Sequence, residues 1–282
     1  MIKRSFFVFF LLVVMYSFVP KLNLEDAEQY PFQINSVKAQ QFIYYAKDEN
    51  VIVGSSLSAR LAMDSLPGFY NLSFSGLGVS DGLNILMANN RHPRNLLVEM
   101  NYIFRPQSET FLSYINSPVL SLLKRHITSM QDRFQPIGTV GETIIRYLKG
   151  NDAMKLEFAD KADTTAVLRR LENQVELSSE VPDGQFLNER FTYLKQKIAE
   201  LEAEGVHVIF FEMPVHPTLC NSPRAKVVRY LFFRHFPPQQ YQYIDLPDCN
   251  GYLTTDGLHL SVKEAVSYTS YMKKKMLPLL SS

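Results

Sequence analysis

Five short apolar runs that alternate with helical stretches, the first three of them leading into small or polar residues, limit what this chain can fold into. They are Asn50–Val53, Tyr70–Phe74, Asn95–Met100, Val206–Met213 and Tyr243–Leu246. Runs this short, rich in valine, isoleucine and aromatic residues, predict strands buried on both faces. Helical patterns are predicted over Val79–Asn89, Pro118–Met130, Phe186–Glu204 and Ser261–Leu277, with Ser117 as an N-cap ahead of Pro118. Strands alternating with helices make βαβ units, and these pack as a parallel sheet covered on both faces. The expected fold is therefore α/β: a three-layer α/β/α sandwich around a parallel sheet of about five strands. Chemistry in such sheets gathers at the carboxyl ends of the strands. There the first three runs lead into Gly54-Ser55-Ser56, Ser75-Gly76 and Asn101.

The rest of the chain sets the context. Its 282 residues suffice for one large domain with a sizeable core. With 29 Lys and Arg against 28 Asp and Glu, the net charge of +1 offers no electrostatic reason for a nucleic-acid partner. At the N-terminus Lys3-Arg4 precede the uncharged run Ser5–Pro20, a membrane-targeting pattern. As a helix this run would reach about 24 Å, against a hydrocarbon core of ~30 Å. It is expected to be a signal anchor over residues 1–21, with a membrane as partner. Cleaved secretion is the alternative, disfavoured because Ser17-Phe18-Val19 is a poor small-x-small site. The basic pair would stay in the cytoplasm, leaving the chain beyond Lys21 extracytoplasmic, at the periplasm or cell surface. Residues 22–48 are polar and are expected to form a tether. The domain is expected over 49–282, with a mostly helical insertion at about 105–183.

On the extracytoplasmic side Cys220 and Cys249 are free to form a disulfide. They lack the spacing of a zinc site, and no metal is expected. No cofactor is expected either: there is no phosphate loop, and Gly76-Leu77-Gly78 lacks the third glycine of a dinucleotide fingerprint.

Thr255-Asp256-Gly257-Leu258-His259, just before the last helix, brings a carboxylate three residues ahead of a histidine. On a turn that spacing lets the carboxylate hold Nδ1 and leaves Nε2 free to take a proton from a serine. The serine is offered by Gly54-Ser55-Ser56-Leu57-Ser58 at the end of the first run. These segments resemble the SGNH/GDSL hydrolase family, which is marked by four blocks in fixed order. Gly54-Ser55-Ser56-Leu57-Ser58 matches its nucleophile block, Asn71–Gly76 its glycine block, Val98-Glu99-Met100-Asn101 its asparagine block and Asp256-Gly257-Leu258-His259 its last block.

The resemblance implies a flavodoxin-like SGNH fold with Ser56 as nucleophile, His259 as base and Asp256 as its partner. It also implies an oxyanion hole from the amides of Ser56 and Gly76 and the side chain of Asn101. Two departures stand out: Ser55 replaces the usual Asp before the nucleophile, and the usual Gly-x-Asn-Asp becomes Glu99-Met100-Asn101-Tyr102. The Gly-Ser-Ser form resembles the membrane-anchored, extracytoplasmic branch, which implies an esterase or O-acyltransferase acting on acyl, chiefly acetyl, esters of a cell-envelope carbohydrate. A membrane acyltransferase is an implied partner. His216 and Arg105, near the same sheet edge, are candidates for substrate contact. Ser55 is the alternative nucleophile. An inactive glycan-binding or assembly module is the rival from another class, and a lipase or phospholipase a third.

Overall fold

The computed structural model describes Val14 and residues 31–47, 49–135 and 164–280. The predicted anchor over 1–21 lies outside the described residues apart from Val14. Among the described residues no helix is long and apolar enough to cross a membrane.

The described chain forms two compact units. The larger takes residues 47–108 and 164–280 and holds a five-stranded, wholly parallel sheet. Its strands are β1 (Asn50–Gly54), β2 (Phe69–Ser73), β3 (Asn95–Glu99), β4 (His207–Phe211) and β5 (Gln242–Tyr243), in the order β2-β1-β3-β4-β5. This is a doubly wound order, in which the chain reverses direction across the sheet between β1 and β3. Its helices are α2 (Val79–Ala88), α5 (Thr164–Ser179), α6 (Gly184–Ala203), the short α7 (Pro217–Cys220), α8 (Pro223–His235) and α9 (Val262–Leu280).

Alternation along the strands loads both faces. Ile52, Leu97 and Ile209 form one row in register, packed in one core with Tyr268 and Met272 of α9. The neighbouring row, Val53, Val98 and Phe210, points the other way. Phe210 meets Phe232 edge-to-face and Phe236 at a tilt there, both with ring centroids 5.0 Å away. A Cβ on Gly82 of α2 would come within 2.8 Å of Val53 Cγ1, so the missing side chain lets α2 lie directly against β1. Helices thus cover both faces, as a three-layer arrangement requires.

The smaller unit takes residues 31–46 and 109–135. Here the structure corrects the expectation of a tether over 22–48, since Pro31–Tyr44 is a helix, α1. Its buried face carries Asn35, Ser36 and Gln40 beside Ala39, Phe42 and Ile43, so the hydropathy contrast that marks an amphipathic helix is missing from the sequence. Those polar groups have partners: Gln40 Oε1, for one, accepts from the Asp132 amide. With α1 pack α3 (Glu109–Ile115) and α4 (Pro118–His126). The helix predicted over Pro118–Met130 breaks at Ile127 and resumes as a 3-10 turn, Thr128–Met130. Lys124, Asp132 and Tyr114 form the unit's buried polar centre, with Lys124 Nζ 2.6 Å from Asp132 Oδ1. The expected insertion at about 105–183 is accordingly divided: 109–135 joins α1, while 105–108 and the described 164–183 belong with the sheet. Residues 136–163 of it lie outside the described residues.

The fifth strand is shorter than Tyr243–Leu246, ending at Tyr243, although the Ile244 amide still donates to Phe210. Cys220 and Cys249 are joined in a disulfide, with Cα atoms 6.6 Å apart.

Candidate active site

The register aligns the strand ends, pairing Gly54 with Ser73 and Glu99 with Phe211. The segments that follow β1, β2 and β3 therefore leave the same edge of the sheet. β1 stops at Gly54 and the backbone turns at once into a 3-10 helix, Ser58–Arg60. Ser55 is 1% exposed, whereas Ser56 is half-buried and turned to the site. That difference separates the two candidate nucleophiles.

Ser56 Oγ lies 2.9 Å from His259 Nε2, and His259 Nδ1 lies 2.7 Å from Asp256 Oδ2. Asp256 Oδ1 accepts from the amides of Leu258 and His259, at 3.0 and 2.8 Å. Burial by itself pushes the Asp256 carboxyl up. The hydrogen bond and charge of His259 and the two backbone amides outweigh it and hold the group at about 2. An ionised Asp256 can only accept, so Nδ1 carries the imidazole proton and Nε2 is the acceptor facing the serine hydroxyl.

The turn bearing Asp256 and His259 is short and locally bonded. Gly257, at φ +91°, takes the left-handed conformation that bends the chain between them. Thr255 N donates to His259 O at 2.8 Å, and Thr254 and Leu260 form an antiparallel bridge. From outside, His216 N donates to Gly257 O at 2.8 Å. The Cys220–Cys249 bond ties the end of α7 to the 3-10 turn Cys249–Gly251 just upstream.

The turn bearing the candidate nucleophile Ser56 gathers around Glu99, the last residue of β3 and fully buried. Glu99 Oε1 accepts from Ser55 Oγ at 2.7 Å. Its Oε2 accepts from Ser55 N at 2.9 Å, from Ser58 N at 3.2 Å and from Ser58 Oγ at 2.5 Å. Ser55 Oγ in turn accepts from Leu57 N at 3.2 Å. A Cβ on Gly54 would sit 2.0 Å from Ser58 Oγ and 2.6 Å from Glu99 Oε2, so only glycine fits where this carboxyl passes. Against the family pattern Glu99 stands only as a departure, and motif matching gives it no role. Its signal is present in the sequence all the same: an acid closing the apolar run Asn95–Met100 needs buried partners.

Two of the expected oxyanion donors are available. Neither the Ser56 amide nor the Gly76 amide has a hydrogen-bond partner among the described residues, and Gly76 adopts φ +75°. Asn101 differs from expectation. Its side-chain amide is clamped on Met213, with Nδ2 donating to O at 2.9 Å and Oδ1 accepting from N at 2.8 Å. One Nδ2 hydrogen is thereby committed to bridging the ends of β3 and β4, which leaves the other for substrate.

The two candidate substrate contacts have other tasks. His216 caps α7, its Nδ1 accepting from Thr218 N at 3.3 Å. Arg105 donates to Leu77 O at 3.0 Å and lies 4.8 Å over the Tyr102 ring, bracing the turn after Gly76. A cavity of roughly 50 Å³ opens beside Asn101 and Leu258; Val215, Leu219 and the ion-paired Glu212 and Arg229 also line it. No family model, curated protein or solved structure matches the chain.

Proposed function

We propose that this protein is an SGNH-like serine esterase or O-acyltransferase that works through an acyl-serine intermediate. The observation that carries this reading is the unbroken hydrogen-bonded series from Ser56 to His259 to Asp256, assembled from residues 203 positions apart. Two half-exposed side chains with an orienting carboxylate in this sequence of contacts are what nucleophilic acyl transfer needs.

In the reaction, His259 Nε2 takes the Ser56 hydroxyl proton as Oγ bonds to the ester carbonyl carbon. The carbonyl oxygen becomes an oxyanion held by the Ser56 and Gly76 amides and the free Asn101 N–H, each such donor contributing about 3 to 4 kcal/mol to the transition state. Asp256 stabilises the imidazolium. His259 then passes its proton to the departing alcohol oxygen as the C–O bond breaks, leaving Ser56 acylated. Water or a second hydroxyl attacks the acyl-serine with His259 again as base, giving the free acid or a new ester.

The substrate class belongs to the same proposal: acyl esters, acetyl above all, of a cell-envelope carbohydrate. Lys3-Arg4 and Ser5–Pro20 support membrane anchoring with the enzyme on the extracytoplasmic side, where a membrane acyltransferase is a natural partner.

The test exposes the full-length chain in detergent to a fluorophosphonate and follows intact mass, with p-nitrophenyl acetate turnover in parallel. The expected result is one adduct, mapped to Ser56 and absent from Ser56→Ala and His259→Ala, together with turnover that both variants lose. A folded parent that takes no adduct and turns over no ester overturns the reading.

A further inference from the structure

Four consecutive amides run through the nucleophile turn, from Ser55 to Ser58. Glu99 takes those of Ser55 and Ser58, and Ser55 Oγ takes that of Leu57. Of the four, only the Ser56 amide is left without a partner among the described residues. Ser55 Oγ, accepting from Leu57, donates its single hydrogen to Glu99 Oε1, so Ser55 and Glu99 act as one unit. The turn's other wall is tied in as well: Asn71 Nδ2 donates to Ser58 O at 2.8 Å, and Ser58 Oγ meets Ser73 Oγ at 2.9 Å.

We infer that Glu99 is the positioning residue of the nucleophile turn, and that the two departures from the SGNH pattern are one compensating change. The pattern has an acid at position 55 and a glycine at position 99; this chain has Ser55 and Glu99. The carboxyl that organises the turn is thus delivered from β3 and not from β1. Burial makes the exchange stringent, since four donors converge on the two oxygens of a fully buried carboxyl. Glu99 does not touch the reacting atoms. It acts by leaving the Ser56 amide free and turning Ser56 Oγ toward His259.

The positioning part stands on turn geometry alone, while its catalytic consequence rests on the proposed acyl-serine reading, so two readouts are taken on the full-length chain. The first is residue-resolved amide exchange across Ser55–Ser58, which needs no activity. The parent is expected to protect the Ser55, Leu57 and Ser58 amides and to leave Ser56 fast. Glu99→Gln, which replaces an acceptor oxygen with a donor, is expected to release Ser55 and Ser58. Ser55→Ala, the milder variant should Glu99→Gln unfold, is expected to release Leu57.

The second readout is the rate of fluorophosphonate labelling and the kcat for p-nitrophenyl acetate. Both variants are expected to fall roughly tenfold to a hundredfold in both rates, with KM unchanged. Ser55→Asp alone, which adds a second buried acid, and Glu99→Gly alone should each fall similarly, while the double variant recovers most of the loss. Unchanged protection in folded Glu99→Gln overturns the positioning role. Changed protection with unchanged labelling overturns its catalytic consequence. A double variant no better than the worse single overturns the compensation. A parent that is protected as described but never labelled leaves Glu99 in place and sinks only the acyl-serine reading.

Discussion

The turn that carries Ser56 takes its shape from a side chain 44 residues away, whereas the turn that carries Asp256 and His259 is bonded chiefly between residues two to four apart. The first is buried and saturated with hydrogen bonds around Glu99. The second is half-exposed, with His259 17% and Asp256 21% exposed at their side chains, and gains its long-range support from the His216 amide and the Cys220–Cys249 bond. The division suits the proposed acyl transfer, in which Ser56 and its amide would be held against a rigid sheet edge and His259 would be oriented from a locally bonded turn.

If the second turn serves mainly to orient a base, removing its charge should cost catalysis and little structure. Asp256→Asn is expected to lower kcat for p-nitrophenyl acetate on the order of 10³- to 10⁴-fold, because it loses the tautomer that leaves Nε2 unprotonated. Its stability at neutral pH should fall by about 2 kcal/mol, the contribution of the ionised carboxylate, well short of the catalytic loss. If the first turn is the rigid one, it should tolerate no added atom. Gly54→Ala is expected to cost about 3 kcal/mol or more in a thermal melt, since the new Cβ overlaps Ser58 and the buried Glu99. Gly257→Ala in the second turn should cost less, about 1 to 2 kcal/mol. Its penalty comes from φ +91° and from Leu171 Cδ1 at 2.7 Å, a side-chain tip that can move aside. Equal losses would erase the contrast.

Opening the disulfide sharpens the same comparison. Cys220→Ser with Cys249→Ser releases a 29-residue loop and is expected to lower stability by about 3 kcal/mol. Amide exchange should quicken around Gly257 and stay unchanged at Ser55 and Ser58. A further effect is read by pH. Asp256 lies at about 2 in the folded chain against an ordinary 3.8, so its contribution is fully present above about pH 4 and is lost as pH falls through 2. Melting curves of the parent and Asp256→Ala should therefore differ by a constant margin, about 2 kcal/mol, above pH 4, with the gap closing toward pH 2. A gap that widens on acidification would contradict the assignment of Asp256 as the ionised partner.

Legibility in the sequence follows the range of the contacts. The Asp256–His259 pair is readable because both residues lie in one turn and the same spacing serves the carboxylate, the amides it accepts from and the ring it orients. The strands β1, β3 and β4 are readable because burial on both faces makes them continuously apolar. Helix α1 is not readable, since its buried face is half polar and finds its partners, such as Asp132, some ninety positions on. Asn101 illustrates a mixed case: its position at the end of β3 is legible, but its clamp on Met213 joins segments 112 residues apart.

What the sequence determined by itself was periodicity and local spacing: an α/β chain with parallel strands, polar turns at their carboxyl ends, and a carboxylate three residues ahead of a histidine. These are decided by neighbours along the chain, where side-chain direction repeats every two or 3.6 residues. Tertiary structure decided which serine faces His259, and why Gly54 must precede the serine pair. It also turned Glu99 from a misfit into the anchor of the nucleophile turn. Those outcomes depend on which groups are buried against one another once β1 and β3 lie side by side, and a buried carboxyl is tolerated only where distant donors converge on it.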